Sequence, residues 1–228
     1  METHRQRSRF SLLPVLLLIA PGWLSSPSLY LAQETSGAPK LSYSKTLKGS
    51  VPEYMLITVD SKGSSTYDGR KLDEPPSPRP LQLSPATTSR LFALAAQLNN
   101  FRSLELESHK KVANLGLKTL SYEGNGQASR VEFNFTQNRV AQELVDLLEK
   151  IASVEERVAT LEYAIKYDHL SLPKELLQIQ IDLDNKALAD PELMVPTLEK
   201  IVRNSRFLHL AQSRAQTILQ RIQNTNKP

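Results

Sequence analysis

Glycine is absent from the 102 residues that follow Gly126, and ten of the fourteen prolines lie at or before Pro85. Glycine and proline form turns and interrupt helices, so their distribution separates a turn-rich part from a part that can stay helical. A chain of 228 residues is long enough for one or two domains with a real hydrophobic core. We therefore predict an α+β fold, with a small antiparallel sheet followed by an all-helical C-terminal region.

Residues 1–33 have the pattern of a secretory signal peptide. Three arginines precede an apolar run at 10–20, which ends at the helix-breaking pair Pro21 and Gly22. The run is shorter than the roughly 20 residues that span a bilayer. We predict cleavage and export to the periplasm or the cell exterior, with an uncleaved N-terminal membrane anchor as the alternative.

The remaining boundaries follow from composition and periodicity. Residues 34–52 are small, polar and non-periodic, which is typical of a flexible leader. Residues 53–136 carry the strand signals and form the predicted α+β unit, residues 137–223 have helical periodicity, and residues 224–228 are predicted to be a disordered tail. Without residues 1–33 the chain keeps 25 Lys and Arg against 23 Asp and Glu, with no basic block, so we predict no nucleic-acid partner.

Two hairpins and one helix are predicted within 53–136. The turn residues Asp60 to Gly63 join the first pair of strands, and Asn125 and Gly126 join the second. Ser84 as N-cap and Pro85 in the first turn begin a helix between the hairpins. The proline-rich loop at 74–80 cannot lie inside a sheet. The prediction is four antiparallel strands with one helix packed on one face.

A heptad stripe dominates the helical region. Eight apolar residues step by four and three in alternation: Val140, Leu144, Leu147, Ile151, Val154, Val158, Leu161 and Ile165. We predict one long helix whose stripe packs on the chain's own sheet and later helices, which favours a monomer. The alternative is a parallel coiled-coil homodimer, in which Lys150 and Arg157 would face Glu155 and Glu162 across the interface.

Helical hairpins are predicted after a break at 168–171. Residues 172–187 form one helix, and Asp190 and Pro191 are the N-cap and first residue of another. The segment 195–222 then resembles one HEAT-type helical repeat. The resemblance depends on Pro196, Leu198, the turn at 204–206, Ala211, Arg214, Ala215, Leu219 and Ile222. It implies a hairpin that caps a small bundle, because a solenoid needs about three repeats.

The order of segments carries a second resemblance. A signal peptide, a sheet unit that opens on the hairpin ITVDSKGSSTYDG and a long helical extension together resemble uncharacterised exported bacterial proteins known as domains of unknown function. This resemblance implies an extracytoplasmic location and supplies no catalytic residues.

The sequence contains no motif for catalysis or for cofactor binding. The GxSxG, P-loop, GxGxxG, HExxH and calcium-loop patterns are absent, and a chain without cysteine has no thiolate chemistry. We therefore predict no catalytic residues, no cofactor and no metal. His109, His169 and His209 are isolated in sequence, and His169 beside Asp168 is typical of a helix end rather than a proton relay.

Three further features have ordinary structural interpretations beside functional ones. Asn134 to Thr136 match a glycosylation sequon that falls in a predicted strand. An acidic cluster is interpreted as solvated surface and a helix cap rather than a cation site: Asp182, Asp184, Asp190 and Glu192. Tyr163 and Tyr167, one helical turn apart beside His169, are candidates for an exposed contact surface, with packing as the alternative.

These observations favour an exported, non-enzymatic protein that binds an unidentified protein partner through its sheet unit or its helices. The alternative is an extracytoplasmic ligand-binding or hydrolase-like domain whose site is scattered along the sequence. A deep pocket with several converging polar groups would favour that alternative.

Overall fold

The structure is a computed structural model that describes residues 38–225. The predicted signal peptide at 1–33 and residues 226–228 of the predicted tail lie outside the described residues. All elements described below belong to one compact unit. Between residues 38 and 225, no helix is both long and apolar enough to cross a membrane.

Six antiparallel strands form one sheet in the order β4-β3-β2-β1-β5-β6. The strands are β1 (Lys40–Thr46), β2 (Tyr54–Asp60), β3 (Ser64–Arg70), β4 (Arg79–Gln82), β5 (Leu117–Gly124) and β6 (Gln127–Phe133). Both predicted hairpins are confirmed, as β2–β3 and β5–β6. Asn125 and Gly126 have φ of 53° and 71°, the left-handed conformation that a two-residue hairpin turn of type I′ requires.

The prediction of four strands is wrong by two. β1 lies in the segment 34–52 that was predicted to be a flexible leader, yet it pairs with β2 on one side and β5 on the other. Its sequence KLSYSKT has only Leu41 and Tyr43 as large apolar residues, so the strand depends on pairing along both edges rather than on local pattern. β4 begins at the end of the proline-rich loop and is an edge strand, the position that Pro80 permits.

The described part of the chain also has five α-helices: α1 (Pro85–Gln97), α2 (Arg139–Tyr167), α3 (Leu172–Asp184), α4 (Val195–Arg203) and α5 (His209–Thr225). Short 3₁₀ turns occupy Asn99–Phe101 and Pro191–Met194. The predicted start of α1 is confirmed, because Ser84 is its N-cap and Ser84 Oγ accepts a bond from the Thr87 amide. A mixed fold with an antiparallel sheet and a helical C-terminal part is therefore confirmed in outline.

The heptad stripe of α2 contributes to two cores in succession. Leu144 and Ile151 are buried with the sheet and α1, whereas Val158 and Leu161 are buried with α3, α4 and α5. The predicted packing of this stripe inside one chain is what the structure has. The charges that the coiled-coil alternative would pair between chains are also used within the chain. Arg157 Nε donates to Asp182 at 2.7 Å, and Glu162 accepts from Arg79 at 2.9 Å.

Asp190 joins the helical region to the start of α1. Asp190 and Pro191 are the N-cap and first residue of the turn at Pro191–Met194, as predicted, and the Asp190 carbonyl accepts a bond from the Leu193 amide at 3.1 Å. Asp190 has a left-handed φ of 53°, and its side chain makes no cap bond to that turn. Its carboxylate instead accepts bonds from the Ser84 amide at 2.7 Å, the Ser84 hydroxyl at 2.9 Å and the Thr87 hydroxyl at 2.5 Å. A side chain 106 residues away in sequence thus caps α1.

The substitution Asp190→Asn is expected to lower the free energy of unfolding by about 1–2 kcal/mol. Asparagine tolerates the left-handed backbone but loses the charge, and it keeps one acceptor oxygen where aspartate has two. At least one of the three bonds donated by Ser84 and Thr87 therefore loses its acceptor. Urea denaturation measures the change. Asp184→Asn is the control, since the largely exposed Asp184–Arg221 pair is worth about 0–1 kcal/mol. Equal losses in the two variants would contradict this role for Asp190.

Candidate functional site

Glutamates of α2 reach polar side chains of the sheet. The Tyr43 hydroxyl donates to Glu149 Oε1 at 2.7 Å, and Lys45 Nζ donates to the same oxygen at 3.0 Å. The Tyr67 hydroxyl donates to Glu156 Oε1 at 3.1 Å. These bonds join residues that are 89 to 106 positions apart, so they fix α2 on the sheet.

The side chains that these bonds join form a row between α2 and the sheet, and burial shifts the pKa of several of them. It raises the pKa of the Tyr43 and Tyr67 hydroxyls, and the charge of the bonded glutamates raises each of them further. Burial also raises the pKa of Glu155, which is 5% exposed, although Arg79 Nε at 3.9 Å opposes the shift. Perturbed pKa values gather at catalytic sites but also mark structural networks.

The cavities beside this row argue for the structural reading. Glu149 lies between two of them, with volumes of about 230 Å³ and 180 Å³. Both are smaller than the roughly 300 Å³ at which ligand pockets begin. The carboxylates of Glu149 and Glu156 are already bonded to residues of the sheet. The row therefore holds the two layers together rather than presenting free groups to a substrate.

Replacing Glu156 by glutamine is expected to stabilise the protein more at pH 7 than at pH 4. Burial is the main cause that raises the pKa of Glu156 above its ordinary 4.5. As pH rises past 4.5, the unfolded chain releases its proton first, so the free energy of unfolding falls until the folded pKa is passed. Glutamine removes this loss and still accepts the Tyr67 bond. Urea denaturation at both pH values, with the exposed Glu123→Gln as control, measures it; a difference independent of pH would contradict the assignment.

The acidic cluster predicted from sequence does not form a cation site. Asp182 is bonded to Arg157, Asp184 to Arg221, and Asp190 to the start of α1. Within residues 38–225, no group of three or more His, Asp and Glu side chains is arranged to hold a metal ion. The interpretation as solvated surface fits Asp184, whose side chain is 64% exposed, but not Asp182, whose side chain is 14% exposed in its ion pair with Arg157.

The remaining polar candidates are also placed by the structure. His169 Nε2 donates to the Ile165 carbonyl at 2.7 Å, so this histidine caps the end of α2. His109 pairs with Glu105 on an exposed segment. Asn134 lies just after β6 rather than in a strand, and its side chain accepts a bond from the Leu115 amide at 2.7 Å.

An exposed apolar group lies where α2 ends, and we name it the α2 tip: Tyr163, Tyr167 and Leu170. Each tyrosine is 63% exposed and Leu170 is 78% exposed. The tyrosine rings are 5.1 Å apart between centroids, and Lys166 Nζ lies 4.9 Å from the Tyr167 ring centroid. The two rings are tilted by 48° to each other. Both are largely exposed, so this pair is not packed in the core.

A groove lies between Ile165 of α2 and the end of α4, and we name it the basic groove. It has a volume of about 710 Å³, within the range of ligand sites, and its apolar lining is Ile165, Pro196 and Phe207. The His169 ring, in the turn that also holds Leu170, contacts the Phe207 ring edge to face, with centroids 4.9 Å apart. The polar lining consists of the cations Lys200, Arg203 and Arg206 together with Glu199, Asn204 and Ser205.

Sequence reasoning identified the two tyrosines but not Leu170 or the basic groove. The groove had a readable signal, since Lys200, Arg203 and Arg206 recur every three residues and so tend to share one side of a helix end. Leu170 had none, because a single leucine in a loop carries no periodicity. A scan against protein-family models finds no match, and a search of curated proteins finds no significant similarity. The HEAT-type resemblance and the resemblance to exported bacterial proteins therefore stay predictions.

Proposed function

We propose that this chain is an exported, non-enzymatic protein-interaction module that binds a partner protein through the α2 tip. The exposure of Tyr163, Tyr167 and Leu170 carries the proposal. Tyrosine is enriched in protein interfaces because it combines a large apolar face with a polar end, and it loses little side-chain entropy on binding. Two exposed tyrosines with their rings 5.1 Å apart, followed in the chain by an exposed leucine, give an anchor of this kind.

The α2 tip is also held in place before any partner arrives. The tyrosines belong to a 29-residue helix, and the following loop is fixed by the His169 bond to Ile165. Arg214 Nη1 of α5 donates to the Pro173 carbonyl at 2.5 Å, which fixes the start of α3 beside it. A preorganised surface lowers the entropic cost of association.

The alternative of a ligand-binding or hydrolase-like domain has less support. One catalytic candidate is Glu149 between two small cavities, and that carboxylate is occupied by Tyr43 and Lys45. In the larger basic groove the lining carboxylate is Glu199, which is paired with Arg203. A hydrolytic site needs a nucleophile or base free to reach a substrate. The Glu149 cluster offers neither.

Photo-crosslinking in the cells that produce the protein tests the proposed surface. A photoreactive phenylalanine at Tyr167 is expected to give a discrete crosslinked protein, because that ring faces outward at the α2 tip. The same amino acid at Gln127, an exposed residue of β6, is the control and is expected to give none. Absence of a crosslink at Tyr167, with the protein folded and abundant, would reject the α2 tip as a binding surface.

Export is a separate prediction that depends on the first 33 residues. A fusion of residues 1–40 to a reporter that is active only outside the cytoplasm is expected to be active, because a basic start and an apolar run direct secretion. Replacing two leucines of the apolar run by arginine is the matched control and is expected to abolish reporter activity. An inactive unmodified fusion would remove the export assignment.

A further inference from the structure

The cations of the basic groove exceed the anions that lie beside them. Arg203 Nη2 is bonded to Glu199 at 2.7 Å, so one of the three cations has an intramolecular partner. Lys200 and Arg206 are exposed and form no ion pair with any residue in the described range 38–225. The groove therefore presents two uncompensated positive charges beside its apolar lining.

The position of Arg206 is not explained by the stability of α4. A helix dipole favours cations in the last helical turn, which accounts for Lys200 and Arg203. Arg206 follows the end of the helix, in a turn fixed by Asn204. The Asn204 side chain accepts from the Arg206 amide at 3.0 Å, and the Asn204 carbonyl accepts from Gln212 Nε2 at 2.8 Å. The backbone that carries Arg206 is thus held in place, although its guanidinium has no ion-pair partner among residues 38–225.

We propose that the basic groove receives an acidic segment of the partner protein, with one apolar side chain placed against Phe207 and carboxylates on Lys200 and Arg206. This inference rests on the proposed function, since it assigns the chemistry of the partner bound at the α2 tip. Complementary charge steers association and selects among partners, while the apolar anchor supplies most of the affinity. Arginine can bind a carboxylate through two parallel hydrogen bonds.

Charge count favours a protein segment over a membrane surface. Juxtamembrane segments that bind anionic lipid gather about 4–8 Lys and Arg. The groove lining has three, one of them paired with Glu199. A concave groove with an apolar lining also fits an extended segment better than it fits a flat headgroup layer.

The test uses the full chain with a photoreactive phenylalanine at Ser205, an exposed residue of the groove. The double substitution Lys200→Glu and Arg206→Glu is expected to reduce the Ser205 crosslink at least tenfold, because it places like charges against the acidic segment. The double substitution Lys110→Glu and Lys111→Glu, at two exposed lysines of the loop before β5, is the matched control and is expected to leave the crosslink unchanged. Equal melting temperatures show that both variants fold.

The outcomes separate the inference from the proposed function. A crosslinked peptide rich in Asp and Glu, identified by mass spectrometry and lost in the Lys200→Glu, Arg206→Glu variant, supports the acidic segment. A Ser205 crosslink that is unchanged in that variant, a crosslinked peptide without acidic residues, or a crosslink to lipid overturns it. In those cases a crosslink from Tyr167 still supports the proposed function. If the protein with the native groove gives no crosslink from Tyr167, both the proposed function and this inference are wrong.

Discussion

Replacing Val158 by aspartate is expected to unfold the protein. Val158 is 6% exposed in the core that α2 forms with α3, α4 and α5, and the other members of that core are apolar. A carboxylate there loses its hydration, and Arg79, which lies on the same side of α2, is already paired with Glu162. The substitution therefore costs about 4 kcal/mol or more. Domains of this size are stable by about 5–15 kcal/mol in total. Loss of the near-ultraviolet circular dichroism signal and of a cooperative melt measures the effect.

The next residue provides the control for this experiment. Ala159 is exposed on the same helical turn, so Ala159→Asp adds the same charge without burial and is expected to leave the melting temperature nearly unchanged. The Val158 variant also tests the monomer prediction. If it stays folded as a monomer while light scattering shows the native protein to be a dimer, the heptad stripe joins two chains and its packing within one chain is wrong.

Local signals in the sequence were enough for the turns and helix starts. Ser84 and Pro85 begin α1, and Asn125 and Gly126 form a tight hairpin turn, because the conformations of these residues depend on their nearest neighbours. The apolar stripe of α2 could also be predicted from the sequence, because its 3.5-residue period does not depend on which elements pack against it.

Long-range pairing could not be read in the same way. β1 has few apolar residues, and it is a strand because β2 and β5 supply hydrogen bonds on both sides. The segment that became β1 therefore has the composition of a leader. Asp190 likewise has the sequence context of a local cap, whereas the three bonds of its side chain go to residues more than 100 positions away. Nothing within a few residues of either position indicates these partners.

The candidate site likewise combines features that the sequence indicates with features that only the fold creates. Tyr163 and Tyr167 were identifiable from their spacing of one helical turn, but their exposure depends on where α3 and α5 pack. The basic groove joins residues of α2 with α4 and the turn after it, so its shape exists only in the folded chain. The cations and the aromatic rings could be identified from the sequence, but only the fold shows that they lie close together.

A chain that ends at Thr136 is expected not to fold. The sheet and α1 share their core with the first half of α2, and Leu144, Leu148 and Ile151 are fully buried there. Each contributes about 2 kcal/mol through burial, so removing these three alone costs about 6 kcal/mol, comparable to the total stability of a small domain. The truncation also removes Asp190 from α1 and leaves Tyr43 and Tyr67 without their glutamates.

Comparison of residues 38–136 with residues 38–168 isolates the contribution of α2. The longer chain keeps all of α2, and with it the apolar cover and the Glu149 and Glu156 bonds. It is expected to keep strand-like circular dichroism and a cooperative melt below that of the full chain, because it lacks α3 to α5. The shorter chain is expected to lose both signals. A cooperative melt of residues 38–136 at the temperature of the full chain would mean that the sheet unit is an independent domain, and that α2 covers a core already stable without it.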